Sequence, residues 1–316
     1  MRVWTVQLLL IAFCLCLVGQ TGCRPLNLGT SLRQKLTASN QRDWRPELAM
    51  TPVIEGNGPQ YTLRNIRNCN YVTADDFVVE HYDRQISIDQ IRSVDFIVAP
   101  FVNTPKLAHT IFSFGLDDGS YLAVSVEVRK ELGEKYNPVL GLGKKFELIY
   151  VLSDERDVIR LRTEHYGADV FVYPTVATAQ QAQTLFVDVA KRINHLAENP
   201  EFYNSITNNC TTNLAGHVNQ VSPNKINYGL KVLLPGLSAE YAYELGLLDN
   251  RIPFEDLTDV ATINDLAKQH FDSPNFSKLI RSRWSRFDRY LERQARREPA
   301  LQFQGHDYLR SGLLKR

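Results

Sequence analysis

A change in the spacing of hydrophobic residues is the feature that most restricts how this chain can fold. Over residues 61–173 the apolar residues form short runs rich in β-branched and aromatic side chains, separated by turn residues, which is typical of strands. From Ala179 they recur at helical spacing until Asn199-Pro200 ends the run, and helical patterns dominate to the C-terminus. This order predicts an α+β fold in which a mostly antiparallel sheet packs against helices.

Composition narrows the possible partners and cofactors. The 316 residues include 36 Lys and Arg against 35 Asp and Glu, and 44% of them are hydrophobic. A packed core is therefore expected, and the near-zero net charge argues against nucleic acid as a partner. No histidine pair has metal-ligand spacing and no Gly-rich phosphate loop follows a strand, so we expect neither a metal nor another cofactor.

The N-terminus resembles a secretory signal. Arg2 precedes an apolar stretch at 3–18, and small residues follow it. Thr21-Gly22-Cys23 resembles a lipoprotein box that would lipidate Cys23, although Gln20 stands where such boxes usually have Leu, so an uncleaved anchor remains open. Either reading predicts a periplasm-facing protein of the bacterial envelope, attached to the membrane through its N-terminus. The predicted regions are a signal or anchor at 1–23, a tether at 24–52, a thiol-enzyme domain at 53–248 and a C-terminal helical region at 249–316.

Two cysteines, Cys69 and Cys210, remain after the signal. They could form one disulfide in an oxidising compartment, or Cys210 could be a reactive thiol. Asn209 is a good helix N-cap, which places Cys210 in the first turn of a helix. The partial positive charge of a helix start stabilises a thiolate, so the reactive interpretation has a physical basis.

A hairpin supplies the candidate base for this thiol. Asp117-Asp118-Gly119 suits a three-residue loop, and the resulting register places His109 directly opposite Glu127. A two-residue loop would instead move Glu127 to the other face. Small residues on the His109 face, among them Ser113 and Ser125, are expected to leave room for the helix that carries Cys210. His217 lies two helical turns from Cys210, too far along the helix to act as its base.

The order of these residues, with His109 before Asn209-Cys210, resembles that of the circularly permuted papain-like thiol enzymes. A longer set of segments resembles the Lnb N-terminal periplasmic domain family and covers about residues 44–248. These segments are Ile66-Arg67-Asn68, 109–115, Ser125-Val126-Glu127-Val128-Arg129, Ile149-Tyr150, Asp154-Glu155-Arg156-Asp157, Leu161-Arg162-Thr163, Phe202-Tyr203, Asn209-Cys210-Thr211 and Leu234-Pro235-Gly236.

The resemblance implies an enzyme of acyl-transfer chemistry, since Lnb is similar to a lipoprotein N-acyltransferase. Cys210, His109 and Glu127 would be catalytic, and Ser113, Ser125, Arg129 and Asn209 would line the substrate pocket. That enzyme's domain is followed by membrane-spanning helices that this sequence does not contain, so the acyl acceptor is less well defined than the fold. The alternative is a non-catalytic envelope binding protein with a Cys69 to Cys210 disulfide.

Two charged regions have open interpretations. The cluster at 154–157, followed by Arg160 and Arg162, could be an internally paired loop or could help to shape the site. Residues 276–316 contain 11 Lys and Arg against 4 Asp and Glu, which is a net charge of +7. An apolar stripe in this segment predicts a helix whose basic face is either solvated or in contact with anionic lipid headgroups. The stripe consists of Phe276, Ile280, Trp284, Phe287 and Leu291.

Overall fold

The computed structural model of the chain describes residues 36–284. The strands are β1 (Val53–Glu55), β2 (Gln60–Arg67), β3 (Asn70–Tyr71), β4 (Phe77–Val78), β5 (His81–Ser87), β6 (Ile91–Phe101), β7 (Thr104–Leu116), β8 (Tyr121–Arg129), β9 (Glu147–Asp154) and β10 (Phe171–Pro174). The helices are α1 (Pro46–Ala49), α2 (Glu155–Arg160), α3 (Ala179–Glu198), α4 (Cys210–Val221), α5 (Leu230–Leu233), α6 (Ser238–Glu244), α7 (Phe254–Ala261), α8 (Asn264–His270) and α9 (Phe276–Ile280). A π-helical turn, Leu161–His165, follows α2.

One large sheet organises the described chain. Its order is β1-β2-β9-β8-β7-β6-β10, with β5 paired to β2, while β3 and β4 form a separate pair. The ladders are antiparallel except for a short parallel contact between β2 and β9 at Arg67 and Ser153. The prediction of a mostly antiparallel sheet packed against helices is therefore confirmed.

The first face of the sheet packs against α3 and α4. Helix α3 starts after Thr178, whose side chain and that of Gln181 form a reciprocal capping box. Its apolar stripe is buried, and Phe186 meets Phe114 of β7 edge to face at a centroid distance of 5.5 Å. Because this contact lies in the middle of the core, Phe186→Ala should lower the free energy of unfolding by about 3–5 kcal/mol.

The second face is filled by later parts of the chain, which corrects an expectation from the sequence. The small residues on the His109 face were expected to leave open space for the thiol helix, but Ile111 and Ala123 of that face pack against Val158 and Ile159 of α2. The chain turns back over this face directly after β9, and Ile263 adds a contact from the C-terminal helices. The helix that carries Cys210 therefore lies on the first face, where its Leu214 belongs to the same core cluster as Phe112 of β7.

Both ends of the described chain contribute to the same body, because residues 39–284 belong to one compact unit. The sequence predicts a tether at 24–52, and within its described part Trp44 and Leu48 are buried. The buried guanidinium of Arg129 holds this segment by donating to Leu48 O at 2.9 Å and by lying 4.4 Å from the Trp44 ring. A boundary drawn from polarity alone missed this packing because the apolar residues of the segment are few.

The C-terminal helices also belong to this unit. Phe276 and Ile280 are buried, and Arg281 reaches Asp95 of β6 and Glu155 of α2. Cys23, the predicted signal and the basic residues after 284 lie outside the described residues. Within residues 36–284 no helix is both long enough and apolar enough to cross a membrane.

Candidate active site

The β7–β8 hairpin has the register that the sequence predicts. Leu116 N–H donates to Ser120 O at 2.9 Å, and Gly119 has a φ of 81°, as the left-handed position of a three-residue loop requires. The paired residues run from Gly115 with Tyr121 to Ile111 with Ser125. The three-residue loop is thus confirmed, and it places His109 and Glu127 on the same face of the sheet.

The two hairpin strands separate beyond the last of these pairs. The β7–β8 ladder ends at Ile111 and Ser125, whereas β8 stays paired with β9 as far as Arg129 and β6 stays paired with β7 past Ala108. The start of α4 meets β7 at this separation. Cys210 Sγ lies 4.0 Å from Ala108 O, and the next side chain along, Thr211, lies 3.3 Å from the Thr110 hydroxyl. The separation lets a thiol from the first face approach an imidazole from the second.

Asn209 fixes the position of Cys210 in the first turn of α4. Its side-chain oxygen accepts from Thr212 N at 2.9 Å, and the Thr212 hydroxyl accepts from Asn209 N at 2.9 Å. The Asn209 amide nitrogen donates to Ser205 O at 2.8 Å. Asn209 was predicted to line the substrate pocket, and in the structure these bonds make it the N-cap of α4.

A short hydrogen-bond chain connects His109 to Glu127. The imidazole Nε2 lies 2.7 Å from Ser125 Oγ, and the Ser125 hydroxyl donates to Glu127 Oε1 at 2.6 Å. The imidazole Nε2 is itself 3.2 Å from Glu127 Oε1. Because the serine proton is directed at the carboxylate, the Ser125 oxygen accepts from a protonated Nε2. This assignment leaves Nδ1 as the imidazole nitrogen available to the thiol.

The protonation states of this group depend on one another. Burial alone would raise the pKa of Cys210, but the hydrogen bond and positive charge of His109, together with Thr110, lower it from 9.0 to about 7. Burial likewise opposes charge on His109, yet the Glu127 carboxylate outweighs it and raises the His109 pKa to about 9. Against the effect of its own burial, His109 and Arg162 hold the pKa of Glu127 well below its ordinary value. At neutral pH this arrangement favours a thiolate beside an imidazolium.

Arg162 is a residue of this site that sequence reasoning did not select. Its Nη2 donates to Glu127 Oε1 at 2.7 Å, and its Nη1 donates to Val158 O at 2.9 Å. The residue lies on the π-helical turn Leu161–His165, a local irregularity that is often found at functional sites. The only sequence signals were its place in the charged cluster and in the family segment Leu161-Arg162-Thr163.

Two other predicted pocket residues lie elsewhere. The Ser113 hydroxyl donates to Glu155 Oε1 at 2.5 Å, and the buried Glu155 is paired with Arg281. Arg129 is used to hold the N-terminal segment, as described above. Ser113 and Arg129 share a sheet face with His109 and Glu127, but their hydrogen-bond partners are Glu155 and the N-terminal segment. Of the four predicted pocket residues, Ser125 alone contacts His109.

The described thiols do not pair with each other. Both Cys69 and Cys210 are free and buried, and they lie in separate hydrophobic clusters. The expectation of a disulfide between them is therefore wrong. Cys69 packs beside Tyr71 and Leu161, whereas Cys210 packs with the first-face core that includes Phe112.

His217 forms a separate polar group further along α4. Its Nδ1 lies 2.6 Å from Asp188 Oδ2, and its Nε2 lies 2.8 Å from the Tyr150 hydroxyl. A polar cavity of about 240 Å³ borders this group. Burial lowers the pKa of His217, although Asp188 opposes that effect. The prediction that His217 is not the base of Cys210 agrees with these contacts.

An apolar cavity of about 70 Å³ lies behind the thiol. Its lining includes Thr211, which follows Cys210, and Phe112 of β7. This volume is far below the roughly 300–1,000 Å³ of a typical small-molecule pocket, so it accommodates only a short apolar segment. Among residues 36–284 no group of three or more His, Cys, Asp or Glu side chains is arranged to hold a metal ion.

Together, the fold and this group of residues define a mixed α/β domain with a buried thiol next to a partly exposed imidazole–carboxylate pair. Residues 78–236, about half of the chain, match the Lnb N-terminal periplasmic domain family, and the chain belongs to that family. Membership indicates a periplasm-facing envelope protein related to lipoprotein processing. The searches of curated proteins and of solved structures found no significant match.

Proposed function

We propose that the protein is a thiol enzyme of acyl-transfer chemistry, an acyltransferase or an amide hydrolase, with the active-site order of the permuted papain-like enzymes. The observation that carries the proposal is the arrangement of Cys210 in the first turn of α4 with His109 beside it and Glu127 behind His109, which lowers the pKa of Cys210 to about 7 despite burial. A thiolate that is stable at neutral pH is an effective nucleophile toward a carbonyl carbon. Helix α4 contributes further, since Cys210 occupies its first turn.

In the first step the Cys210 thiolate attacks the substrate carbonyl and forms a carbon–sulfur bond. The carbonyl electrons move to the oxygen, and backbone N–H groups at the start of α4 are the proposed oxyanion donors. When this tetrahedral species collapses, the bond to the leaving group breaks. His109 gives its proton to that group, which leaves an acyl thioester on Cys210.

In the second step an amine or a water molecule attacks the thioester. Neutral His109 accepts a proton from the attacking group, and the Cys210 thiolate leaves as the new amide or acid forms. Glu127, through Ser125 and by direct attraction, stabilises the imidazolium that exists before and after the reaction. Arg162 is a positioning residue because it holds Glu127 and not the imidazole.

The substrate class that fits this proposal is a membrane lipid or a lipoprotein. Family membership in an envelope domain supports it, as does the predicted attachment of the chain through Cys23 or an uncleaved N-terminal anchor. The alternative of a non-catalytic binding protein relied on a disulfide, and both thiols are free. A purely structural cysteine does not need to ionise, so the low pKa of Cys210 favours the enzyme over the binding protein.

Trapping the acyl intermediate tests the proposal. The full chain is mixed with p-nitrophenyl butyrate, quenched in acid and measured by intact mass, followed by peptide mapping. One butyryl group on Cys210, with release of p-nitrophenol, is expected in the native protein and in Cys69→Ser. Its absence from Cys210 in the native protein, or equal labelling of Cys69, would contradict the mechanism.

A further inference from the structure

Exposed apolar side chains are concentrated in four loops of the described chain. Each loop is taken together with the strand or helix ends that adjoin it, which gives residues 101–106, 135–145, 203–208 and 226–231. Of the fifteen large hydrophobic side chains that are exposed within residues 36–284, eight lie in these four short loops. Val139 is 72% exposed. An exposed apolar surface that is gathered in one area marks an interaction site more often than scattered single residues do.

Hydrogen bonds join three of the loops directly. Loops 203–208 and 135–145 meet where Ser205 N–H donates to Gly141 O at 2.9 Å. Loops 226–231 and 203–208 meet where the Tyr228 hydroxyl donates to Ile206 O. The three loops are therefore neighbours on the protein surface.

The fourth loop, the tip of the β6–β7 hairpin, adjoins this surface through a glycine. Gly236 follows loop 226–231 and lies so close to the hairpin that a Cβ there would be 2.0 Å from Pro105 O. Only glycine permits such an approach between two backbones. The hairpin whose tip carries the exposed Val102 is therefore a neighbour of these loops, and we call the four loops together the apolar rim.

The apolar rim lies next to the candidate active site. Loop 203–208 leads directly into Asn209, whose side chain donates to Ser205 O at 2.8 Å. From the hairpin tip, β7 runs into Ala108, whose carbonyl is 4.0 Å from Cys210 Sγ. Two of the four loops thus connect within a few residues to the thiol.

Charge distinguishes the rim from the rest of the protein. The four loops contain no Asp or Glu, whereas the whole chain is nearly neutral at net +1. Of their lysines, Lys145 and Lys231 reach acidic residues that lie outside the loops. The five lysines are Lys106, Lys135, Lys144, Lys145 and Lys231.

We propose that the apolar rim docks on a lipid bilayer that contains anionic lipids. The exposed apolar side chains would enter the interfacial region, and Lys106, Lys135 and Lys144 would contact the headgroups, since Lys145 and Lys231 already face carboxylates. A surface that combines apolar residues with charge of one sign is complementary to such an interface, where apolar burial and attraction to anionic headgroups act together. Docking in this orientation directs the Cys210 side of the domain toward the membrane. The proposal concerns a surface and does not require that Cys210 is catalytic.

Hydrogen exchange on the full chain tests this docking. The protein is reconstituted into vesicles of phosphatidylcholine and phosphatidylglycerol, and exchange is followed in the 203–208 peptide. The rim variant carries Val139→Asp, Leu140→Asp and Leu230→Asp, none of which lies in that peptide. We expect exchange at 203–208 to be about tenfold faster in the rim variant than in the native protein, because a surface outside the bilayer loses its protection.

A matched control carries three aspartates at equally exposed apolar positions away from the rim, Val72→Asp, Val78→Asp and Val176→Asp. It should keep the protection of 203–208, and α3 amides should remain slow in all three proteins, which shows that the fold is intact. Cys210→Ser should also keep the protection, so a failed enzyme mechanism and a failed docking surface give different results.

Three outcomes would overturn the proposal. One is equal exchange at 203–208 in the native protein and the rim variant while α3 remains protected. Another is equal protection in vesicles of phosphatidylcholine alone, which removes the role of anionic headgroups. The third is protection that depends on protein concentration or on an added protein and not on the vesicle, which assigns the surface to a protein contact.

Discussion

The molecule contains two buried free thiols that behave oppositely. Cys69 lies beside Asp157, whose carboxylate accepts from Cys69 N–H at 2.7 Å, and burial together with that negative charge raises its pKa to about 12. Cys210 is equally buried, yet His109 and Thr110 lower its pKa to about 7. Burial raises the pKa at both sites. At Cys69 the charges of Asp157 and Arg67 act in opposite directions, whereas at Cys210 the hydrogen bond and the charge of His109 both favour the thiolate.

The comparison also explains why Glu127 and Asp157 have different effects on their thiols. Asp157 is paired with Arg67 and adjoins Cys69 directly, so its charge opposes a thiolate there. Glu127 instead lies behind His109, so its charge raises the pKa of the imidazole. The imidazolium that results then stabilises the Cys210 thiolate. The imidazole between carboxylate and thiol converts a repulsive neighbour into a stabilising one.

The largest expected effect comes from removing the reactive thiol itself. Cys210→Ser keeps almost the same volume, but a hydroxyl lacks the acidity of a thiol, so release of p-nitrophenol from p-nitrophenyl butyrate should fall about 10⁴-fold. Circular dichroism and thermal unfolding should stay close to those of the native protein. Cys69→Ser is the matched control and should keep the native rate, and retained turnover in Cys210→Ser would refute nucleophilic catalysis by Cys210.

Next in size is the loss of the imidazole. His109→Ala leaves Cys210 buried without its cationic neighbour, so its pKa should rise from about 7 to above the ordinary value of 9.0. The thiolate fraction at pH 7 then falls at least about fiftyfold, since each pKa unit is a factor of ten in the equilibrium. The pH midpoint of Cys210 alkylation by iodoacetamide, read by mass spectrometry, measures this change.

The control for that experiment is the other buried histidine that is paired with a carboxylate. His217→Ala removes the partner of Asp188 and Tyr150 but no neighbour of Cys210. It should leave the alkylation midpoint where it is. A similar midpoint shift in both variants would indicate a general loosening of α4 and not a specific charge effect.

A smaller change is expected when the carboxylate loses its charge. Glu127→Gln keeps the shape but removes the attraction that raises the pKa of His109, and the positive charge of Arg162 remains nearby. The imidazolium is then less stable, so the pKa of Cys210 rises and its alkylation midpoint moves to higher pH, by less than in His109→Ala. An unchanged midpoint would mean that Glu127 does not act on the thiol through His109.

The smallest expected shift belongs to Ser125→Ala. This change removes the 2.7 Å contact to the imidazole and the 2.6 Å contact to the carboxylate, but His109 Nε2 still faces Glu127 at 3.2 Å. The ion pair persists without its bridging hydroxyl, so the midpoint should rise less than in Glu127→Gln. A larger shift than that of Glu127→Gln would make the hydroxyl the main support of the imidazolium.

Short-range rules account for the parts of the site that sequence predicted correctly. The Asp117-Asp118-Gly119 loop sets the hairpin register, and a period of two then places His109 and Glu127 on one face. Asn209 marks a helix start because a side-chain oxygen there can accept an N–H of the first turn. Both inferences depend on residues within about twenty positions of one another, and backbone geometry leaves few alternatives.

Tertiary packing decided the rest. The sequence could not show that β7 and β8 separate beyond Ile111. This separation depends on the packing of α4, which is distant in sequence, against β7. Nor could it show that Arg162 reaches Glu127, 35 residues away, or that Arg129 is occupied by the Trp44 segment. The identity and charge of each residue were determined by the sequence. Which partner each charge met depended on how the two faces of the sheet were covered, since burial and long-range pairing are properties of the whole packed chain.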